Sequence, residues 1–100
     1  MNLHPMKLAT IICEAVLEER IVEVLHECGA HGHTAFDVRG SGRQGQRSAD
    51  LVESGNVQIQ VIVKPAVAEA LLARLHREFF QDYAMVAYQS EVQVLRPEKF

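Results

Sequence analysis

The stretch Arg39-Gly40-Ser41-Gly42-Arg43-Gln44-Gly45-Gln46-Arg47-Ser48 holds the residue types in this chain best suited to chemistry. Glycine has no Cβ, so it adopts positive φ and lets the backbone approach a ligand closely. Successive backbone N–H groups in such turns form a concave nest for an anion. Arginine adds a planar fork of donors matched to phosphate or carboxylate. Together these types describe a site for a small anion, nucleotide phosphate foremost. The same composition also suits a solvated linker between hairpin strands. The pattern is not a P-loop, because no Gly-Lys-Ser/Thr follows and no helix begins here. Nor is it a dinucleotide fingerprint, which needs a helix immediately after the glycines.

A second cluster, His26-x-Cys28-x-x-His31-x-His33, has ligand types suited to Zn²⁺ or Cu²⁺. A simpler reading is that histidines at a helix C-terminus interact favourably with the dipole. Cys28 then completes an apolar stripe, and no metal is assigned. Catalysis would need a base or nucleophile with an orienting partner. Glu14, Asp37 and Asp50 are loose candidates without a Ser-His-Asp or Cys-His signature. The chain is therefore not expected to be an enzyme, with slow phosphatase action on a bound nucleotide as an alternative. Nucleic acid is not an expected partner, since the loop arginines lack interleaved aromatics and the first helix is acidic. Phe79, Phe80, Tyr83 and Tyr88 read as core or subunit-interface packing, with Tyr88 also a candidate neighbour of a nucleotide.

The chain that must position these residues has 100 of them, enough for one domain spanning 1–100. It is 48% hydrophobic and 23% charged, which suits a globular protein. The formal net charge of −3 hides its layout. Residues 39–49 contain three arginines and no acid, whereas residues 14–27 contain five glutamates and one arginine. No apolar run approaches the ~20 residues that span a bilayer. The run over residues 8–13 is too short for a signal-peptide core of about 7–15 residues. A cytoplasmic location is expected, with Cys13 and Cys28 as reduced thiols.

Apolar residues 7–13 read as a buried strand. Residues 15–28 read as a helix with Val16, Leu17, Ile21, Val24, Leu25 and Cys28 on its buried stripe. Gly29 is the expected left-handed cap. A second strand covers 33–38, and a long loop occupies about 39–55. The third strand, 57–63, alternates Val57, Ile59, Val61 and Val63 against Gln58 and Gln60. Pro65 opens a second helix at its first turn, with Val67, Ala68, Leu71, Leu72, Leu75 and Phe79 inward. A last strand covers about 84–95. The order βαββαβ predicts an α+β, ferredoxin-like fold. It is a four-stranded antiparallel sheet with two helices on one face. Ile62, Met85, Ala87 and Leu95 are expected on the uncovered face, which suggests an oligomer.

Gly40-Ser41-Gly42-Arg43-Gln44 after a strand resembles the start of the T-loop of PII signalling proteins, whose usual form is Gly-x-Gly-Arg-Gln. Gly32-His33-Thr34 is similar to the Gly-x-Thr opening that family's second strand. Val61-Ile62-Val63-Lys64-Pro65 resembles its third strand and helix-opening proline, and Val94-Leu95-Arg96 its C-terminal strand. The four motifs lie in order along nearly the whole chain. The resemblance implies a homotrimer that binds adenine nucleotides between subunits and docks on a target protein through its loop. Carried over by residue, Thr34 and Val63 would sit at the adenosine. Gly40, Ser41, Gly42, Arg43 and Arg47 would meet the phosphates, and Arg96 would reach in from the last strand. Gln44 matches the glutamine that touches Mg²⁺ and a carboxylate effector in nitrogen-sensing members.

The departures from that family are specific. The loop has no tyrosine to accept uridylylation, and the lysine near the start of strand three is absent. The glycine-rich loop before strand four is replaced by Phe80-Gln81-Asp82-Tyr83-Ala84. These features make AMP or ADP more fitting ligands than ATP, with ATP and cyclic AMP kept as alternatives. They resemble the SbtB and carboxysome-associated PII-like branch, in which Glu27-Cys28-Gly29-Ala30-His31-Gly32-His33-Thr34 and Arg47-Ser48 also have counterparts. That branch acts in inorganic-carbon uptake. It implies bicarbonate as a second anion at Arg43, Gln44, Arg47 and Ser48, and a carboxysome or a membrane transporter as the associated partner. The C-terminal cysteine clip of some SbtB members is not expected, since the sequence closes at Phe100. The copper-tolerance trimers share this architecture and form the alternative.

Overall fold

The computed structural model describes residues 1–40 and 55–100. Strand β1 spans His4–Glu14, and a 3-10 turn, Ala15–Leu17, leads into helix α1, Glu18–Cys28. Strands β2, Thr34–Val38, and β3, Asn56–Val63, flank the glycine–arginine loop. Helix α2 spans Pro65–Glu78, strand β4 spans Val86–Val94, and a second 3-10 turn covers Pro97–Lys99. The sheet is antiparallel, in the order β2-β3-β1-β4. This is the ferredoxin-like arrangement the element order implies.

Alternation along the strands builds the core. Ala9, Ile11 and Cys13 of β1 and Val57, Ile59, Val61 and Val63 of β3 point to the helix side. Leu17, Ile21, Val24 and Leu25 meet them from the first helical segment, and Ala68, Leu71, Leu75 and Phe79 from the second. Pro65 stands at the start of α2 as expected, because the first turn does not need its missing N–H.

Four expectations change. Val16 is not on the buried stripe but 81% exposed. In a 3-10 turn, at about 120° per residue, it falls well back from Leu17, which takes the inward position. The first turn is 3-10, so the α-helix begins at Glu18 rather than Ala15. Strand one starts at His4, because β4 continues to pair with it after β3 has ended: His4 lies opposite Val94, whereas Val63 reaches only Lys7. Pro5 is tolerated there because, among the described residues, β4 is the only neighbouring strand at that position. Met85 and Ala87 belong to the helix side rather than the uncovered face. Ala87 is in register with the core residue Ile11, so both share one face.

Gly29 ends α1 at φ 103°. Its N–H donates to the His26 carbonyl at 3.1 Å, and the Ala30 N–H to the Leu25 carbonyl at 2.9 Å. A Cβ added there meets Val67 Cγ2 at 3.7 Å, an ordinary contact, so its cost is conformational. Gly29→Ala is expected to destabilise the fold by about 1–2 kcal/mol, read as a shift of the urea midpoint without a change of slope.

Candidate functional site

One end of the sheet gathers several segments. Val38 lies opposite Asn56, Asn56 opposite Glu14, and Ile12 opposite Val86. The Ala15 N–H donates to the Gly55 carbonyl at 3.1 Å. Gly55 has φ 88°, a value that a side chain would strain. The two ends of the glycine–arginine loop, Gly40 and Gly55, therefore leave the sheet beside the start of the first helical turn. Ser41, Gly42, Arg43, Gln44, Arg47 and Ser48 lie outside the described residues, as does Asp50.

The other candidate ligand residues do not converge on this end within one chain. Thr34 is exposed and lies at the level of Gln60 and Thr10 on the uncovered face. Gly40 is six residues further on, about 20 Å along an extended chain. Arg96 follows β4, whose end pairs with His4, at the opposite end of a molecule 48 Å long. Val63 is 1% exposed, with its side chain in the core, so only its backbone is available to a ligand.

The uncovered face carries Phe36 and Val86, both exposed, with half-buried Leu8, Ile12 and Ile62. One polar rung crosses it. Thr34 pairs with Gln60, Gln60 with Thr10, and Thr10 with Tyr88. Thr10 is 2% exposed and Tyr88 48%, so the tyrosine ring stands on the open surface and not in the core.

Two groups escaped the reading from sequence. Arg20 lays its guanidinium 4.9 Å from the Phe79 ring centroid and 5.8 Å from that of Tyr83. Its Nη1 donates to the Tyr83 hydroxyl at 3.1 Å. The only signal for this was a lone cation within an acidic run. Asn56 is buried at the loop base, between Glu14 and Val38. The Gly55-Asn56 pair reads from sequence as loop chemistry, which hid it.

The remaining candidates are simpler. His26, His31 and His33 are exposed and Cys28 is half-buried. Among the described residues no three His, Cys, Asp or Glu side chains gather to hold a metal ion. A shallow groove on the outer side of α1 is lined by Val16, Glu18, Glu19 and Glu23, whose carboxylates repel a phosphate. Glu27 meets Arg74 at 2.6 Å, so the acidic face is not wholly solvated.

Burial pushes the Cys13 thiol up to about 11, with Glu18 and Glu14 adding to the rise. The folded chain thus holds this proton more tightly than the unfolded one. The stability it contributes is complete below about pH 9 and is lost as pH rises towards 11. At pH 8 iodoacetamide is expected to alkylate Cys28 and leave Cys13 intact until the protein is denatured. Equal labelling rates in the native protein would contradict this burial.

Residues 6–99 match the family model described as nitrogen regulatory protein P-II. A PII-like signalling protein of Thermus thermophilus is 44% identical, with a TM-score of 0.86 over 100% of this chain and 99% of that one. CPII of Thiomonas intermedia, solved with ADP, AMP and acetate, is 27% identical with a TM-score of 0.86, covering 100% of this chain and 98% of that one. The same protein solved with ADP and bicarbonate gives 26% identity and a TM-score of 0.87, over 99% of this chain and 97% of that one. The family match over almost the full length, on a sheet of the expected order, establishes that the chain belongs to the P-II family of regulatory proteins.

Proposed function

We propose that this protein is a homotrimeric sensor of ADP or AMP, with the nucleotide in a cleft between subunits and bicarbonate as a second anion. The observation that carries this reading is the separation of the ligand residues. Thr34, Gly40 and Arg96 stand at the middle and the two ends of one chain, so a single nucleotide can meet all three only if neighbouring copies supply them. The uncovered apolar face gives such copies a surface to bury. Thr34, the Val63 backbone and Arg96 then hold the nucleoside side of the ligand. Gly40, Ser41, Gly42, Arg43 and Arg47 hold its phosphates. Arg43, Gln44, Arg47 and Ser48 receive the second anion. The choice of ADP, AMP and bicarbonate is supported by the CPII structures, which contain them at modest identity.

The mechanism is selection of a loop conformation. Anions neutralise the arginines of residues 39–49 in one arrangement more than in others, and only that differential affinity shifts the population. A target protein reads the selected arrangement, and the site regulates rather than turns over nucleotide. On this reading the protein acts in the cytoplasm, with a carboxysome or a bicarbonate transporter as its target. Among the described residues no helix is long and apolar enough to cross a membrane.

Calorimetry with ADP, AMP, ATP and cyclic AMP, each with and without bicarbonate, tests the ligand. Silence for every adenine nucleotide at millimolar concentration rejects the sensor. Sedimentation equilibrium tests the trimer, and phosphate release during prolonged incubation with ATP and ADP tests the regulatory reading against hydrolysis.

A further inference from the structure

Two arginines share the groove between α1 and α2, whose walls include Glu23, Glu27, Glu78 and Phe79. Arg74 takes the carboxylates, meeting Glu27 at 2.6 Å and Glu78 at 3.0 Å. Arg20 instead lies over Phe79 and Tyr83 and donates to the Tyr83 hydroxyl. A guanidinium placed on two rings and one hydroxyl, with acids close by, is holding a segment in place rather than neutralising charge.

The segment it holds is the turn between α2 and β4. Its backbone folds on itself: the Asp82 and Tyr83 N–H groups donate to the Phe79 carbonyl at 3.1 and 3.0 Å, and the Met85 N–H donates to the Tyr83 carbonyl at 3.0 Å. The turn delivers Val86 opposite Ile12, at the same end of the sheet as Gly55. Five residues before Arg20, Ala15 donates to the Gly55 carbonyl at 3.1 Å. Ala15 and Arg20 belong to one uninterrupted helical stretch, Ala15–Leu17 running into Glu18–Cys28. Leu17 and Ile21 fix that stretch in the core.

We propose that Arg20 is a positioning residue that couples the 79–85 turn to the Gly55 end of the glycine–arginine loop, with the first helical stretch as the rigid link. The helix start holds the loop end, and Arg20 holds the turn. Ordering either segment therefore lowers the cost of ordering the other, and through the loop end this tunes nucleotide affinity. That last step rests on the function proposed above, whereas the coupling itself does not.

The test is hydrogen exchange on the nucleotide-free protein, followed by ADP titration. In Arg20→Ala the amides of Asp82, Tyr83 and Met85 should exchange at least threefold faster, and the amide of Ala15 should accelerate with them. Amides of the central strands serve as the folding control and should keep their protection. Arg20→Lys, which keeps the cation, should recover part of the protection. Tyr83→Phe, which keeps both rings, should shift it less than Arg20→Ala. Acceleration in the turn alone, or in neither segment, overturns the proposal. ADP affinity should fall three- to tenfold in Arg20→Ala and partly return in Arg20→Lys, and an unchanged affinity overturns the link to the ligand. A wild-type protein that binds no adenine nucleotide rejects the sensor reading alone, because exchange in the free protein still decides the coupling.

Discussion

Arg43→Ala is expected to weaken ADP and AMP binding by about 10- to 100-fold while leaving adenosine within about twofold. A hydrogen bond from a charged donor contributes about 1.5–3 kcal/mol, which converts to that range at 1.4 kcal/mol per decade. The arginine fork matches a phosphate's oxygens, whereas adenosine offers it no anion. Titration of the variant with all three ligands checks this. Equal losses for adenosine and ADP would remove Arg43 from the phosphates. A loss confined to bicarbonate-containing buffer would move it to the second anion. Salt should weaken the wild-type complex more than the variant, because one screened charge has been removed.

Phe79→Ala is expected to destabilise the subunit by about 3–5 kcal/mol, a large part of the roughly 5–15 kcal/mol that holds a domain together. Phe79 closes α2 as its C-cap, is buried in the core, and lies under the Arg20 guanidinium. Its removal leaves a cavity where α2, β4 and the helix-side core meet. At about 4 °C per kcal/mol the melting temperature should fall by at least about 12 °C. The comparison needs one protein concentration, since assembly stabilises by mass action. A fall under about 4 °C would show that the core collapses into the space. Tyr83→Ala, which removes a half-buried ring, should cost clearly less.

The order of elements was legible in the sequence because each had one dominant period. The third strand alternates over Val57, Gln58, Ile59, Gln60 and Val61, and the buried pattern follows that alternation residue by residue. Gly29 and Pro65 marked a helix end and a helix start through backbone constraints that act locally. Errors came where a partner element decides. His4 and Pro5 are strand only because β4 reaches past β3. Met85 and Ala87 cannot be assigned a face until the register of β4 against Ile11 is known. Val16 is apolar, yet its rotation about the helix axis leaves it in solvent.

The candidate site was legible in a different way. Its residue types suggest an anion and the family motifs set their order along the chain, while residues 41–48, which carry most of them, lie outside the described residues. Their separation across the subunit was not readable, since spacing along a chain says nothing about which neighbour completes a cleft. The Arg20 contact was invisible for the same reason. Tyr83 is 63 positions away, and only the packing of α2 on the sheet brings it under α1.

The rung of Thr34, Gln60, Thr10 and Tyr88 has a consequence for how the protein avoids wrong company. A sheet face offering only valine, isoleucine and phenylalanine would accept almost any greasy surface, including a misfolded chain. Thr34, Gln60 and Tyr88, the members of this band that reach solvent, demand hydrogen bonds from whatever covers them, and an apolar intruder leaves them unmet at a cost of about 1–3 kcal/mol each. The face thereby rejects partners chemically as well as by shape. Tyr88→Phe, at the exposed member of the rung, is the change that would relax this screen while leaving the apolar attraction intact.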